Sequence, residues 1–557
     1  MVADEIRKAG GKAVANYDAV EDGDKIVDAA IKAFGRVDIL INNTGILRDA
    51  SLDDMTDSDW DLIQAVHVRG AYKVTKAAWD HMRKQKFGRI IMTSAPAGIY
   101  GSPGQTNYSA AKLAVWGFAN SLWREGQADN IHVNTIASVP AGPGLTPELV
   151  AALKPDFVTP LVAWLCAAEC TETGGLFQAG AGHFCKLRWQ RTEGVIFRPD
   201  ESFTPGAIAA QWDKITDFGK DPQYPDSIFT VNWPGIIMTG QTLPENKTVG
   251  DLRFDGKVVI VTGAGGGIGR AHAHLFAKLG ASVVVNDLGS SLSGEVDKSH
   301  QAADVVVEEI RQAGGKAVAN YDSVDNGDKI VATAVKTFGR LDVLVNNAGV
   351  LREKPFADMA DEDWDLVHRV HLRGTYKITK AAYNLFASQK YGRIVSTSSG
   401  VGLQGTPGQT NYSAAKAGIL GFSNAVAQEG KESNIHSNII CPFAATRMTA
   451  GMVPEEMLKA SSPENVSPLV AYLCHESCQE TGGLFEVGCG WIAKVRRQQS
   501  RGYGFPVKGA PITPELVASR LKEISNFDNG DATYPLSPID SSLRFTENAS
   551  RTDELQR

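Results

Sequence analysis

Residues 257–270 read KVVIVTGAGGGIGR, and this stretch decides the fold class of the chain. Its first part, residues 257–262, is an apolar, β-branched run of the kind that forms a buried strand. The glycine cluster at 263–269 follows directly, and a segment with helical spacing of apolar residues comes next. A second apolar run, 281–287, then ends on a carboxylate. Strand, glycine turn, helix, strand and acid in this order predict a dinucleotide-binding unit.

The glycines Gly263, Gly267 and Gly269 form a GxxxGxG pattern. Glycine lets the backbone turn tightly and approach a pyrophosphate that sits on the helix N-terminus. Asp287, at the end of the second strand, can accept hydrogen bonds from both ribose hydroxyls and would repel a 2′-phosphate, so the sequence predicts NAD rather than NADP. The alternatives are a flexible glycine loop and an ordinary turn residue at Asp287, but the flanking strands favour the binding site.

The alternation of apolar strands and helices continues downstream. Strands are predicted near residues 317–321, 343–346, 393–397 and 435–440, and helices near 302–313, 327–338, 364–386, 412–429 and 463–474. Continuous apolar strands that alternate with helices indicate a parallel sheet covered on both faces. The predicted fold class is therefore α/β, with a Rossmann-type, doubly wound parallel sheet.

The chain contains this domain twice. AGGKAVANYD occurs at residues 9–18 and again at 313–322, and PGQTNYSAAK occurs at 103–112 and again at 407–416. Both pairs are 304 residues apart, so the two copies align without a gap over these motifs. A repeat of this size predicts two tandem domains, here called the first copy and the second copy.

The first copy is predicted to be truncated at its N-terminus. On the 304-residue offset Met1 aligns with Val305, which is already past the glycine loop and Asp287. The first strand of a doubly wound sheet lies at its centre, so its absence predicts an apolar sheet edge without a partner. A truncated gene model or fragment explains this, as does a natural short form whose edge is covered by something else.

The predicted domains are a truncated first copy at 1–235, a linker at 236–252 and a complete second copy with its C-terminal tail at 253–557. The linker is inferred because IIMTGQTLPENKTVGDL lacks periodicity. Each copy also ends in a tail, at about 190–235 and 500–557, and each tail is expected to wrap its own copy.

Composition narrows the function classes. Of the 557 residues 43% are apolar and 21% charged, which is ordinary for globular proteins. A net charge of −7 argues against a general nucleic-acid binder. There is no apolar run of the roughly 18–20 residues that a membrane span needs, and no secretory signal follows Met1. The seven cysteines are interpreted as buried, reduced thiols rather than disulfides or metal ligands, so no metal site is predicted.

A catalytic group is predicted around Tyr412 and Lys416, which lie four residues apart and therefore on one face of a helix. A lysine ammonium beside a phenol stabilises the phenolate, so the pKa of Tyr412 is expected to fall from about 10 and make it a usable acid or base. Ser399, at the end of a strand, can orient a substrate oxygen towards Tyr412. Asn346 opens an NNAG motif after the fourth strand. The alternative is a surface tyrosine–lysine pair. It is disfavoured because the pair occurs together with the GxxxGxG pattern, the NNAG motif and Ser399.

Together these motifs resemble those of the short-chain dehydrogenase/reductases. The HLRGTY that begins at His371, the CHESC at 474–478, the GGLFEVGCGW at 482–491 and the tandem repeat narrow the resemblance to the fungal peroxisomal multifunctional enzymes type 2, or hydratase-dehydrogenase-epimerases. In that family two dehydrogenase domains precede a 2-enoyl-CoA hydratase domain, and we expect no such domain within these 557 residues.

The resemblance implies an enzyme that oxidises (3R)-hydroxyacyl-CoA to 3-ketoacyl-CoA with NAD in fatty acid β-oxidation. It implies a peroxisomal location, although the chain ends at Leu555–Gln–Arg557 without a peroxisomal tripeptide. It also implies that Tyr412 accepts the hydroxyl proton, that Lys416 binds the ribose, and that Ser399 positions the oxygen. Two alternatives stay open: the same fold acting on a steroid, polyketide or sugar, and a non-catalytic fragment.

The resemblance places Ser323 and Val324 at the adenine, Asn347 near the nicotinamide ribose, and residues 444–447 over the nicotinamide. The predicted cofactor-binding residues are thus Gly263, Gly267, Ile268, Gly269, Asp287, Ser323, Val324, Asn347, Tyr412, Lys416, Ala444 and Thr446.

The first copy departs from the catalytic pattern. It keeps Tyr108 and Lys112, but Ala95 occupies the serine position, and Ser94 is one residue away, where a strand side chain points to the other face. The loop that begins at Ala137 is also shorter than its counterpart and lacks Arg-Met-Thr. We therefore expect the first copy to be inactive, with Tyr108 and Lys112 vestigial.

The expected role of the first copy is structural. Short-chain dehydrogenases commonly dimerise through the helix that bears YxxxK, so the helices after Tyr108 and Tyr412 are expected to pair as an internal pseudo-dimer, with a homodimer of the chain also possible. His371, and His67 in the first copy, stand where many family members have an asparagine that anchors a proton-relay water. A local structural role is the preferred interpretation of this histidine.

Overall fold

One sheet runs through both copies in the computed structural model, which describes residues 1–139, 147–289, 301–446, 461–508 and 510–550. The strands of the first copy are β1 Ile39–Asn42, β2 Gly88–Ser94, β3 Ile131–Ser138, β4 Leu176–Gly180, β5 His183–Arg191 and β6 Val195–Ile196. Those of the second copy are β7 Val258–Thr262, β8 Ser282–Asn286, β9 Lys316–Asn320, β10 Val343–Asn346, β11 Gly392–Thr397, β12 Ile435–Phe443, β13 Leu484–Gly488, β14 Trp491–Gln499 and β15 Tyr503–Gly504.

Helices cover both faces of this sheet. The α-helices of the first copy are Val2–Lys8, Gly23–Phe34, Asp57–Gln64, Gly70–Gln85, Pro96–Tyr100, Thr106–Gly126, Pro147–Ala152, Thr159–Cys166, Pro205–Ala210, Trp212–Ile215 and Trp233–Thr242. Those described in the second copy are Gly267–Lys278, Gln301–Gln312, Gly327–Phe338, Asp361–His368, Gly374–Gln389, Gly400–Gln404, Thr410–Glu429, Ser467–Cys474, Pro514–Ser519, Leu521–Ile524 and Pro538–Ser550.

The second copy confirms the predicted doubly wound sheet. Its parallel strands lie in the order β9-β8-β7-β10-β11-β12-β13, with β14 antiparallel at the end. The strand that opens the copy, β7, is fully buried between β8 and β10. The chain order reverses at this point, and ligands bind beyond the carboxyl ends of the strands at such a switch point.

The first copy lacks the neighbours that β7 and β8 provide. Among the described residues β1 pairs with β2 alone, and Ile39 and Ile41 are 47% and 48% exposed, whereas every residue of β10 is buried. Residues 12–16 form no strand, although the same sequence forms β9 beside β8 in the second copy. The apolar edge that the sequence predicts is therefore present.

A strand pair and a helix pair are among the contacts that join the two copies. Strands β5 and β14 pair antiparallel, which makes the sheet continuous. Helices Thr106–Gly126 and Thr410–Glu429, which carry the two YxxxK motifs, lie against each other. A Cβ on Gly117 would lie 2.4 Å from the Cβ of Ala417, so glycine is needed for this close helix approach.

The expectation that each tail wraps its own copy is wrong, because the tails are exchanged. Ile208, from the first tail, is buried in one cluster with Phe276 of the second copy. Val517, from the second tail, is buried in one cluster with Phe177 of the first copy. The cause is the β5–β14 pair: β6 continues from β5 and pairs with β14, and β15 continues from β14 and pairs with β5, so each tail leaves over the other copy.

The predicted linker 236–252 also needs correction at its start, which lies in helix Trp233–Thr242. Asn232 caps this helix by accepting a hydrogen bond from the Gly235 N–H at 3.1 Å. Ile236 is one of the helix's two buried residues, so the segment carries no amphipathic periodicity that a sequence could reveal. Residues 243–252 form neither helix nor strand.

Candidate active site

A cavity of about 990 Å³ opens at the carboxyl ends of the second copy's strands. The predicted residues that line it are Gly263, Gly267, Ile268, Asp287, Ser323, Val324, Asn347, Ser399, Tyr412, Lys416, Ala444 and Thr446. Gly269 is not in the lining. A Cβ there would lie 2.2 Å from the Gly263 carbonyl oxygen, so Gly269 permits the close packing of helix on strand beneath the loop.

The glycine loop exposes the start of helix Gly267–Lys278 to the cavity. Gly263 and Gly267 have φ values of +63° and +53°, a left-handed conformation that favours glycine. A Cβ on Gly263 would also lie 2.8 Å from the Cα of Ala348. The N-cap residue is Gly266, and no side chain caps the helix. The first N–H groups are therefore free to bind an anion such as a pyrophosphate.

Asp287 is held at the end of β8 with its carboxylate fixed. Oδ2 accepts a hydrogen bond from the Gly265 N–H and Oδ1 accepts one from the Gly289 N–H, both at 2.8 Å. A Cβ on Gly265 would lie 2.8 Å from this carboxylate, so the loop and the acid fit each other only with glycine there. The arrangement fits a ribose bound through its hydroxyls.

Asp322 is a cavity residue that the sequence analysis missed. It follows β9 as Asp287 follows β8, and its backbone carbonyl accepts a hydrogen bond from the Asn286 amide at 2.9 Å. The carboxyl ends of neighbouring parallel strands meet at one edge of a sheet, so an acid after β9 was a usable signal.

The predicted catalytic side chains are brought together. Ser399 caps helix Gly400–Gln404, its Oγ accepting a hydrogen bond from the Val401 N–H at 3.2 Å, and it is hydrogen-bonded to Tyr412. Lys416 Nζ lies 5.5 Å from the ring centroid of Tyr412 and donates to the carbonyl of Thr397 at 2.7 Å. A phenol, a hydroxyl and an amine thus line the same cavity.

The expected lowering of the Tyr412 pKa by Lys416 is wrong for this arrangement. Burial raises the pKa of Tyr412 to about 12, and the hydrogen bond with Ser399 opposes that rise. Burial also lowers the pKa of Lys416 to about 7. The ammonium is directed to the Thr397 carbonyl rather than to the phenol, so loss of solvent dominates both groups.

His371 is buried beside this group. Its Nε2 lies 2.7 Å from the carbonyl oxygen of Val350, and its ring stands edge-on to the Tyr412 ring at 5.2 Å. Burial lowers the pKa of His371 well below its ordinary value, so the ring is neutral. These contacts support the interpretation of a local structural role.

The first copy repeats this arrangement without the serine. Lys112 Nζ donates to the Thr93 carbonyl at 2.9 Å and lies 5.5 Å from the Tyr108 ring centroid. Ala95 begins helix Pro96–Tyr100 with no side-chain cap. Ser94 donates to the Lys112 carbonyl at 2.7 Å, so its hydroxyl is used in the packing of strand on helix.

Ser398 makes the matching contact in the second copy, donating to the Lys416 carbonyl at 2.8 Å. The adjacent serines of the second copy therefore have different tasks, and the first copy keeps the packing serine alone. Two loops after the sixth strand differ between the copies, at 137–145 and 441–449, and their residues 140–145 and 447–449 lie outside the described residues.

The first copy's tail completes the cavity of the second copy. The tail residues in the lining are Ile228, Phe229, Val231, Trp233 and Pro234. The Trp233 ring stacks on Phe443 of the second copy with centroids 4.3 Å apart. This apolar wall follows from the tail exchange and no pattern in the sequence indicated it.

The described residues hold no group of three or more His, Cys, Asp or Glu side chains placed to bind a metal ion. All seven cysteines are free and buried, as the sequence predicted. Within the same residues, no helix combines the length and apolar character that a membrane crossing requires.

Comparison with known proteins gives one family throughout. The sequence model of the short chain dehydrogenase family matches residues 1–152 and 257–456. The chain is 49% identical over 555 residues to the peroxisomal hydratase-dehydrogenase-epimerase of Neurospora crassa, covering 98% of this chain and 60% of that relative. The protein of the same name from Saccharomyces cerevisiae is 43% identical over 566 residues, which covers 98% of this chain and 61% of that relative.

The peroxisomal multifunctional enzyme type 2 of Mus musculus is 56% identical over 278 residues, which are 50% of this chain and 38% of that relative. The chain thus spans less than two thirds of the length of each of these three relatives.

Proposed function

The chain belongs to the short chain dehydrogenase family, as its motifs predicted, and we propose that its second copy oxidises (3R)-hydroxyacyl-CoA to 3-ketoacyl-CoA with NAD, as a step of fatty acid β-oxidation. The observation that carries the proposal is the single cavity in which Ser399, Tyr412 and Lys416 meet the glycine loop and Asp287. The peroxisomal location is proposed from the names of the fungal relatives.

The residues present fit NAD. The uncapped helix start at Gly267 would hold the pyrophosphate, and Asp287 would hold the adenosine ribose. Ser323 and Val324 would lie at the adenine, and Asn347 near the nicotinamide ribose. When bound, NAD supplies the acceptor for the hydride that leaves the substrate carbon.

The chain's own residues would then handle the oxygen and its proton. Ser399 donates a hydrogen bond to the substrate oxygen and fixes its position. Tyr412, as the phenolate, accepts the hydroxyl proton while the carbon–oxygen bond becomes a carbonyl. The hydrogen bond with Ser399 favours the phenolate and so opposes the effect of burial on Tyr412. Lys416, which donates to the Thr397 carbonyl, would bind the nicotinamide ribose.

The apolar wall supports an acyl substrate over a sugar. Ile228, Phe229 and Trp233 line the cavity from the first copy's tail. A wall of this kind suits an alkyl chain, whereas a sugar needs polar partners for its hydroxyls.

Stereochemistry tests the reaction. We expect the purified chain to form NADH from (3R)-hydroxyacyl-CoA at least about tenfold faster than from the (3S) thioester. The reason is that only the (3R) enantiomer would place its hydroxyl at Ser399 and Tyr412. The measurement is absorbance at the NADH band for both enantiomers of one chain length. Turnover of neither enantiomer, combined with turnover of a steroid or sugar alcohol, would move the assignment to that substrate.

Asp287→Asn is expected to weaken the binding of NAD more than the binding of NADP. The carboxylate that accepts from the ribose hydroxyls becomes an amide with one acceptor, so the KM for NAD should rise about ten- to a hundredfold and the preference over NADP should narrow. Steady-state kinetics with both cofactors measure this. An unchanged ratio of NAD to NADP efficiency would assign Asp287 to the alternative role of a turn residue.

Phe229→Ala is expected to raise the KM for a long-chain hydroxyacyl-CoA about fivefold, equivalent to about 1 kcal/mol of lost apolar contact. The kcat should stay unchanged because Phe229 does not touch the reacting atoms. Ile539→Ala is the matched control, since Ile539 is 78% exposed in the second copy's tail and faces no part of this cavity. Equal effects of the two substitutions would contradict the proposed acyl wall.

We propose that the first copy is catalytically inactive. Ala95 removes the oriented hydroxyl that Ser399 supplies in the second copy. Its proposed task is to pair with the second copy and to supply the tail that lines the cavity. Homodimerisation of the whole chain and the domain limits at 235 and 252 stay predictions.

A further inference from the structure

The strand pair that joins the two copies departs from two-fold symmetry at its centre. Strand β5 and strand β14 are equivalent elements, and their register places Trp189 opposite Arg497. These two residues occupy equivalent positions in their strands, so the pseudo-two-fold axis passes between them. The residue at this position in one copy therefore lies opposite the equivalent residue of the other copy.

The contacts on either side of the axis are symmetric. Arg188 donates to the Gln498 side-chain oxygen at 2.7 Å. Arg496 donates to the Gln190 side-chain oxygen at 2.8 Å, as the two-fold requires. Such contacts would form equally well between two first copies or two second copies, so they do not select a partner.

The axial contact is asymmetric. The guanidinium of Arg497 lies 3.4 Å from the ring centroid of Trp189 and 4.0 Å from that of Trp116, and both tryptophans belong to the first copy. Arg497 is buried, and two of its nitrogens have no hydrogen-bond partner, so the ring faces are its main compensation. The residue that corresponds to Trp116 in the second copy is Leu420.

A second asymmetric contact flanks the axis. Arg191 of β5 donates to the Glu486 carboxylate of β13 at 2.6 Å, and both side chains are buried. The equivalent pair on the other side of the axis is neutral, with the Gln499 amide donating to Gln178 at 2.9 Å. The first copy therefore keeps the arginine of this pair and the second copy keeps the carboxylate.

We propose that these contacts make the first copy the required partner of the second copy at this interface and exclude a second copy in its place. Two second copies would bring Arg497 against Arg497, with Leu420 in place of the aromatic face. Each Glu486 would face Gln499 and lose its cation. Like charges that face each other across a strand pair oppose pairing, and a buried charge that loses its partner does so strongly.

The proposal goes beyond the catalytic assignment and does not depend on it, because it concerns pairing. The full chain can be made to reproduce each disfavoured contact. Trp189→Arg places a guanidinium opposite Arg497, and Arg191→Gln leaves Glu486 facing an amide. We expect each substitution to lower the midpoint of thermal unfolding by about 3 °C or more.

The compensating substitutions separate pairing from mere loss of a core residue. In the Arg497→Met background, Trp189→Arg should lower the unfolding midpoint by less than half of the decrease that it causes in the unmodified chain. R191Q/E486Q, which copies the neutral Gln178–Gln499 pair, should recover at least half of the loss caused by R191Q. If W189R fails to fold, the Arg191–Glu486 cycle still decides the question.

Two results would overturn the proposal. One is that the decreases in unfolding midpoint are additive for both pairs, Trp189 with Arg497 and Arg191 with Glu486. The other is that the single substitutions shift the midpoint by less than about 1 °C. These readouts use unfolding rather than NADH formation, so failure of the pairing proposal and failure of the catalytic proposal are told apart.

Discussion

Tyr412→Phe is expected to lower kcat for NADH formation by about a thousandfold or more. The substitution removes the single group placed to accept the substrate proton and keeps the ring that stands edge-on to His371. Because the hydroxyl takes part in proton transfer rather than in core packing, NAD affinity and the unfolding midpoint should change little. The measurement is single-turnover NADH formation from (3R)-hydroxyacyl-CoA.

The first copy provides the matched control for this prediction. Tyr108 stands beside His67 at 5.4 Å and beside Lys112 at 5.5 Å, as Tyr412 stands beside His371 and Lys416. Tyr108→Phe should leave kcat unchanged. Substantial turnover by Tyr412→Phe that disappears in Y108F/Y412F would mean that the first copy is an active site.

Ser399→Ala is expected to lower kcat about a hundred- to a thousandfold, since it deletes the oriented donor that aligns the substrate oxygen with Tyr412. The KM for NAD should stay the same, because Ser399 serves the substrate side of the cavity. Stopped-flow measurement of the hydride-transfer step separates this loss from slow product release.

Ser398→Ala is the control beside it in the chain. Ser398 donates to the Lys416 carbonyl and is buried in the packing of strand on helix, so its loss should lower stability with a smaller effect on kcat. A larger kcat loss for Ser398→Ala than for Ser399→Ala would reverse the assignment of the two serines.

Much of the second copy was predictable from sequence because its signals are local. The period and composition of the sequence located β7, β8 and β10. The glycine spacing with Asp287 predicted a cofactor loop, and Gly263, Gly267 and Asp287 do line the cavity. The direction of the Tyr412 pKa was not predictable, because it depends on burial and on the carbonyl of Thr397 that occupies Lys416. Neither is visible in the spacing YxxxK.

The sequence by itself determined the α/β class and the repeat, and it predicted the glycine loop and the group of Tyr412, Lys416 and Ser399, since each rests on residues close together along the chain. Tertiary structure alone decided which copy each tail covers, so it alone placed Phe229 over the second copy's cavity and Arg191 against Glu486. The decapeptide AGGKAVANYD shows the physical reason. It contains strand β9 where β8 offers backbone partners and forms no strand at residues 9–18, because a strand's hydrogen bonds belong to its neighbours.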